Sequence, residues 1–81
     1  MDIVWSSRAW KQYLGWKDDK QTWEKINDLI KAIMRGQRMG KAEILRHSDY
    51  LSCRITHADR LVYKVQDGKI YIASCKGHYE E

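Results

Sequence analysis

At 81 residues the chain has room for one small hydrophobic core and no second module, so residues 1–81 are expected to form a single domain. Fifteen Lys and Arg against eleven Asp and Glu leave a formal charge of +4 on a chain that is 43% hydrophobic. That balance excludes an acidic or disordered polypeptide and implies a surface that attracts polyanions or an acidic partner. No apolar run approaches the roughly 20 residues that span a bilayer, and the N-terminus has no basic-then-apolar leader, so a cytoplasmic protein with no membrane role is expected.

The first element is a short strand, Asp2 to Trp5, rich in β-branched and aromatic residues. Ser6 is a helix N-cap in type, and Trp10, Tyr13, Leu14 and Trp16 then recur at helical spacing, predicting a helix from about Ser7 to Lys17 that Gly15 and Lys17-Asp-Asp19 break. A second helix is predicted by Trp23, Ile26, Leu29, Ile30, Ile33 and Met34, with Glu24, Lys25, Asp28 and Lys31 on its other side and Gly36 as its stop. The basic loop Arg35 to Lys41 leads to a short extended segment, Ala42 to Arg46, and through His47 to Tyr50 into a run with period-two alternation. There Leu51, Cys53 and Ile55 alternate with Ser52, Arg54 and Thr56, and Leu61, Tyr63 and Val65 alternate with Val62, Lys64 and Gln66. The short polar connection His57-Ala-Asp-Arg60 makes these two strands an antiparallel hairpin. A third strand, Lys69 to Cys75, follows the Asp67-Gly68 turn and runs into Lys76-Gly-His-Tyr79. The expected fold is α+β, in the order β-α-α-β-β-β-β, with both helices on one face of a small, mostly antiparallel sheet and the other face open. Cys53 and Cys75 lie in strand-like runs without metal-ligand spacing, which reads as reduced core thiols; His47, His57 and His78 have no such spacing either, so no metal is expected. The four tryptophans are assigned to the core or to a partner, on the side away from the polar face of the meander.

Alternation sends Arg54 to the open face. Glu43 stands alone among apolar neighbours between Lys41 and Arg46, Arg60 opens a strand, and His78 with Tyr79 closes the last one. If these strands are neighbours, a carboxylate, two guanidiniums, an imidazole and a phenol share one surface. That set suits metal-free RNA cleavage, in which the substrate's own 2′-hydroxyl attacks the adjacent phosphate. Glu43 would take the hydroxyl proton, Arg54 and Arg60 would stabilise the pentacoordinate transition state, and His78 would protonate the leaving 5′-oxygen. Tyr79 would stack a base or hold the phosphate. Each residue also has a plainer reading: Glu43 as a solvated strand position, the arginines paired with Asp49, Asp59 or Asp67, and His78 as an exposed terminal histidine.

Arg54-Ile-Thr with Arg60-Leu-Val-Tyr63 and the terminal His78-Tyr79 resembles the YoeB branch of the RelE/ParE toxins, small bacterial proteins that cut messenger RNA on the ribosome. Val4-Trp5-Ser6, Trp10, Tyr13, Leu14 and Trp16, then Lys25-Ile-Asn-Asp-Leu-Ile-Lys31 and Gly40-Lys-Ala-Glu-Ile-Leu45, follow the same branch in the same order over nearly the whole chain. The resemblance implies Glu43, Arg60, His78 and Tyr79 as catalytic residues, Arg54, Arg46 and Lys41 as RNA-phosphate contacts, and no cofactor. Ala42 and Ile44 replace the two prolines that flank the glutamate in that branch, and Cys53 replaces an arginine. It further implies a toxin of a type II toxin-antitoxin pair, acting as a ribosome-dependent endoribonuclease. Its partners would be a YefM-like antitoxin, the ribosome with its mRNA, operator DNA only through the antitoxin complex, and a second copy in a homodimer. Two other readings stay open: a ParE-like toxin that binds gyrase without cutting RNA, and a non-catalytic antitoxin-binding co-repressor.

Overall fold

The computed structural model describes residues 1–36, 43–45 and 48–77, and of Glu43 the backbone. Its elements are β1 (Asp2–Trp5), α1 (Ser7–Gly15), α2 (Lys20–Met34), β2 (Glu43–Ile44), β3 (Leu51–Arg54), β4 (Arg60–Gln66) and β5 (Lys69–Ser74). The strands form one sheet in the order β1-β5-β4-β3-β2, with β1 parallel to β5 and the other neighbours antiparallel. The predicted element order and sheet class are therefore those observed.

Ser6 caps α1 and also ties it to the sheet. Its Oγ accepts from Ala9 N at 3.0 Å and donates to Ala73 O at 2.8 Å. Helix α1 ends at Gly15 and not at Lys17, because the N–H groups of Trp16 and Lys17 turn back to carbonyls at the helix end. Asp19 caps α2, accepting from Thr22 N at 3.1 Å and Thr22 Oγ1 at 2.9 Å. At the other end Gly36 takes φ +80, a left-handed conformation open to glycine, and the helix stops. The Tyr13 hydroxyl donates to Asn27 Oδ1 at 2.7 Å and locks α1 to α2.

The core lies between the helices and one sheet face. Ala9, Ile26, Leu29, Ile30 and Ile33 of the helices pack on Cys53, Leu61, Tyr63, Ile70, Ile72 and Cys75, with Ile55 at the end of β3. Trp5, Trp10, Tyr13 and Trp23 form a chain of ring contacts, Tyr13 and Trp23 stacked with centroids 4.1 Å apart. Trp5 and Trp16 pack against the core on the helix side, while Trp10 is 46% exposed. Both cysteines are free and buried, and burial pushes each thiol up to about 11.

The opposite sheet face is less open than alternation suggests. Ser52 and Val62, register partners across β3 and β4, are each 1% exposed, and Leu45 is buried too, yet none belongs to the helix-side core. A second, smaller buried patch therefore sits beneath the candidate site.

Two irregularities shape the sheet. Asp67 and Gly68 have φ of 53 and 72, the double positive φ of a type I′ turn, whose twist matches the strands it joins. Between β4 and β5, Val62 pairs with Ser74 but Tyr63 with Ile72, so Ala73 is the extra residue of a bulge. The bulge resets the parity of β5 and turns Cys75, fully buried, into the core.

Candidate functional site

Register places three of the predicted residues, Glu43, Arg54 and Arg60, on three successive strands of the sheet. Glu43 on β2 is the partner of Ser52 on β3, and Arg54 on β3 is the partner of Arg60 on β4. With Leu51 and Cys53 turned toward the helices, Ser52 and Arg54 occupy the other face, Arg60 lies opposite Arg54 on that face, and the backbone of Glu43 pairs with that of Ser52. Arg54 is exposed and Arg60 half-buried. Directly opposed residues have Cβ atoms about 4.5–5.5 Å apart, so two permanent cations share one edge of this face.

Arg60 does not point straight at Arg54. Its Nε donates to Ser52 Oγ at 2.5 Å and its Nη2 to Ser52 O at 3.1 Å, so the guanidinium leans two residues along β3 toward the strand that carries Glu43. Ser52 was read from the sequence only as one polar residue in an alternating run. Nothing in its identity marks it, because its contact with Arg60 and its pairing with Glu43 come from the register of three strands.

The expected hairpin connection is also shifted. The loop runs from Ile55 to Asp59, and Arg60 already pairs within β4. Asp59 organises the loop, accepting from Thr56 Oγ1 at 2.7 Å through Oδ2 and from Gly77 N at 2.8 Å through Oδ1. Gly77 O in turn accepts from Arg60 N at 3.0 Å. The start of β4 and the end of the described C-terminal segment are thereby stitched together. Helix α1 holds the same segment from behind: Cys75 N donates to Gln12 Oε1 at 2.7 Å, and Trp16 Nε1 donates to Cys75 O at 2.9 Å. The contacts of Gln12 and Trp16 with Cys75, and of Asp59 with Gly77, join residues far apart in the chain and are not legible in its order; Asp59, a candidate partner of the arginines, instead accepts from Thr56 and Gly77.

Beyond the arginines the same face carries an aromatic and cationic row. Lys64 Nζ lies 5.2 Å from the ring centroids of both Tyr50 and Tyr71. Four predicted residues, Lys41, Arg46, His78 and Tyr79, lie outside the described residues.

The fold, two helices on one face of a small mixed sheet, is shared with YafQ from E. coli strain BL21(DE3), at 17% identity and a TM-score of 0.79 over 95% of this chain and 92% of that one. The chain belongs to the YoeB-like toxins of bacterial type II toxin-antitoxin systems, whose sequence profile matches residues 5–79. It is 44% identical to Toxin YoeB of Escherichia coli K12, over 98% of this chain and all of the relative. Among solved structures it is similar to the YoeB dimer from Staphylococcus aureus, at 42% identity and TM-score 0.88 with 98% of each chain covered. It is also similar to the YoeB/ParE toxin from Agrobacterium tumefaciens, at 36% identity and TM-score 0.89 with 98% and 100% covered. The S. aureus YoeB–YefM complex contains a chain 41% identical, at TM-score 0.86 with 98% of each chain covered.

Proposed function

We propose that this chain is a ribosome-dependent endoribonuclease that cleaves mRNA by metal-independent attack of the 2′-hydroxyl on the adjacent phosphate. The observation that carries the reading is that Arg54 and Arg60 are register partners on the face turned from the helices, two residues along β3 from Ser52, the partner of Glu43. Like charges placed directly opposite are unfavourable in a sheet, and a phosphate between them removes the penalty.

The roles follow from the charge developed in the reaction. Glu43 takes the 2′-OH proton, and Arg60 and Arg54 stabilise the charge gained by the equatorial phosphate oxygens. His78 protonates the 5′-oxygen and Tyr79 supports the scissile nucleotide; both follow directly on Gly77, which is hydrogen-bonded to Arg60. Lys41 and Arg46 contact RNA phosphates. The protein acts in the cytoplasm, is silenced by a YefM-like antitoxin, reaches operator DNA only in that complex, and pairs with a second copy as the S. aureus relative does.

The test is primer extension on ribosomes programmed with a defined mRNA. Expected is a cut within the A-site codon by the parent chain, a 2′,3′-cyclic phosphate or its hydrolysis product at the new end, and no cut where the nucleotide is 2′-deoxy. Cleavage of the deoxy substrate would refute the mechanism. Intact mRNA together with growth arrest would favour a gyrase-directed toxin, and intact mRNA with normal growth a non-catalytic co-repressor.

A further inference from the structure

We infer that Ser52 is a positioning residue, which sets the orientation of the Arg60 guanidinium for the scissile phosphate; the inference rests on the endoribonuclease reading above. Ser52 is 1% exposed, and both its Oγ and its carbonyl oxygen accept from Arg60, at 2.5 and 3.1 Å. Arginine is a long side chain with many rotamers, and two acceptors on one residue fix both the direction of its stem and the plane of its fork. A carboxylate could hold the fork as well, but would add negative charge beside a phosphate that is gaining it. The hydroxyl and carbonyl of Ser52 are neutral acceptors, so their hold on the fork adds no negative charge there.

Ser52 also sits between two paired strands of the sheet. Its register partners are Glu43 on one side and Val62 on the other. By leaning onto Ser52, the Arg60 fork moves from its own partner, Arg54, toward the strand that bears the proposed base. Without the hydroxyl, Nε loses the Ser52 acceptor, and the side chain can relax away from β3. A displacement of about 1 Å at a catalytic group can cost on the order of 100-fold in rate.

The experiment is single-turnover cleavage on programmed ribosomes, with ribosome affinity and urea unfolding measured in parallel. Ser52→Ala is expected to lower the cleavage rate about 10- to 100-fold, with affinity and the unfolding midpoint close to the parent. Ser52→Cys, which preserves volume but offers a weak acceptor, should fall with it. Ser52→Thr, which keeps the γ-hydroxyl, should recover most of the rate. In an Arg60→Ala background, Ser52→Ala should add no further loss, since the two act as one unit. A readout independent of RNA is hydrogen exchange at Arg60 Nε by NMR, which should quicken in Ser52→Ala. Multiplicative losses in the double variant, unchanged exchange at Nε, or a Ser52→Ala chain as fast as the parent while Arg60→Ala is inactive would each overturn the inference and leave the nuclease reading intact. A parent chain that does not cut mRNA would overturn that reading first, and this inference with it.

Discussion

Arg54 and Arg60 are direct register partners across β3 and β4, on the sheet face turned away from the helices. A stabilising sheet pair joins opposite charges or apolar side chains, whereas like charges directly opposite cost stability. Replacing Arg54 by threonine should therefore raise stability by about 0.2–1 kcal/mol at low salt, measured by urea unfolding, while weakening RNA cleavage. Added inorganic phosphate or salt should shrink the stability gain, because either relieves the repulsion that the substitution removes.

Glu43 lies at the start of a two-residue strand whose partner is Ser52. As general base, its loss through Glu43→Gln should slow single-turnover cleavage by about 100-fold or more, with ribosome affinity nearly unchanged. Full activity in that variant would take Glu43 out of the mechanism.

As the proposed general acid, His78 should matter only where the leaving group is poor. His78→Ala should cripple cleavage of a natural 5′-oxygen link yet spare a substrate with sulfur at the bridging position, a leaving group that departs without a proton. Failure of the sulfur substrate to rescue cleavage would count against an acid role for His78.

Gly77 has φ +75, and its amide and carbonyl both join the segment to Asp59 and Arg60. A Cβ in the left-handed region costs roughly 1–2 kcal/mol. Gly77→Ala should lose about that much stability by urea unfolding, and its cleavage rate should fall further than stability accounts for, because the link to Arg60 is disturbed. Gly77→Asn should lose less, since asparagine tolerates this conformation.

Cys53 and Cys75 have thiols raised from 9.0 to about 11, in each case first by burial. Between those values the unfolded chain has released protons that the folded chain retains, so the unfolded state binds fewer protons and stability falls as pH rises. Each thiol adds up to about 1.4 kcal/mol per pH unit to that slope, and below pH 9 neither contributes. Urea unfolding between pH 8 and 11 should show the loss, and Cys53→Ala or Cys75→Ala should flatten it while costing packing energy at every pH. A slope unchanged in both variants would assign the alkaline loss to other groups.

Much of the architecture is local chemistry and could be read along the chain. Ser6 can cap, the Trp23 to Met34 pattern has helical period, and Asp67-Gly68 can adopt two successive positive φ values; none of these needs information from elsewhere. Arg54 could be assigned to the face away from Leu51 and Cys53 because strand parity is a property of neighbouring residues. The motif residues Arg54, Arg60, His78 and Tyr79 were visible for the same reason, since chemical type is written in each residue. Position across the sheet is not. The bulge at Ala73, which turns Cys75 inward, arises from how β4 and β5 pair and leaves no local mark. The burial of Ser52 and Val62, the clamp of Gln12 and Trp16 on Cys75, and the Asp59–Gly77–Arg60 stitch join residues up to 63 positions apart. Hydrogen bonds form where the packed core brings a donor to an acceptor, and a serine in an alternating run has the same letter whether it faces water or an arginine. Sequence alone determined the elements, their order and the chemical type of each side chain; tertiary packing decided that Ser52 would pair with Glu43 across the strands and accept from the Arg60 guanidinium.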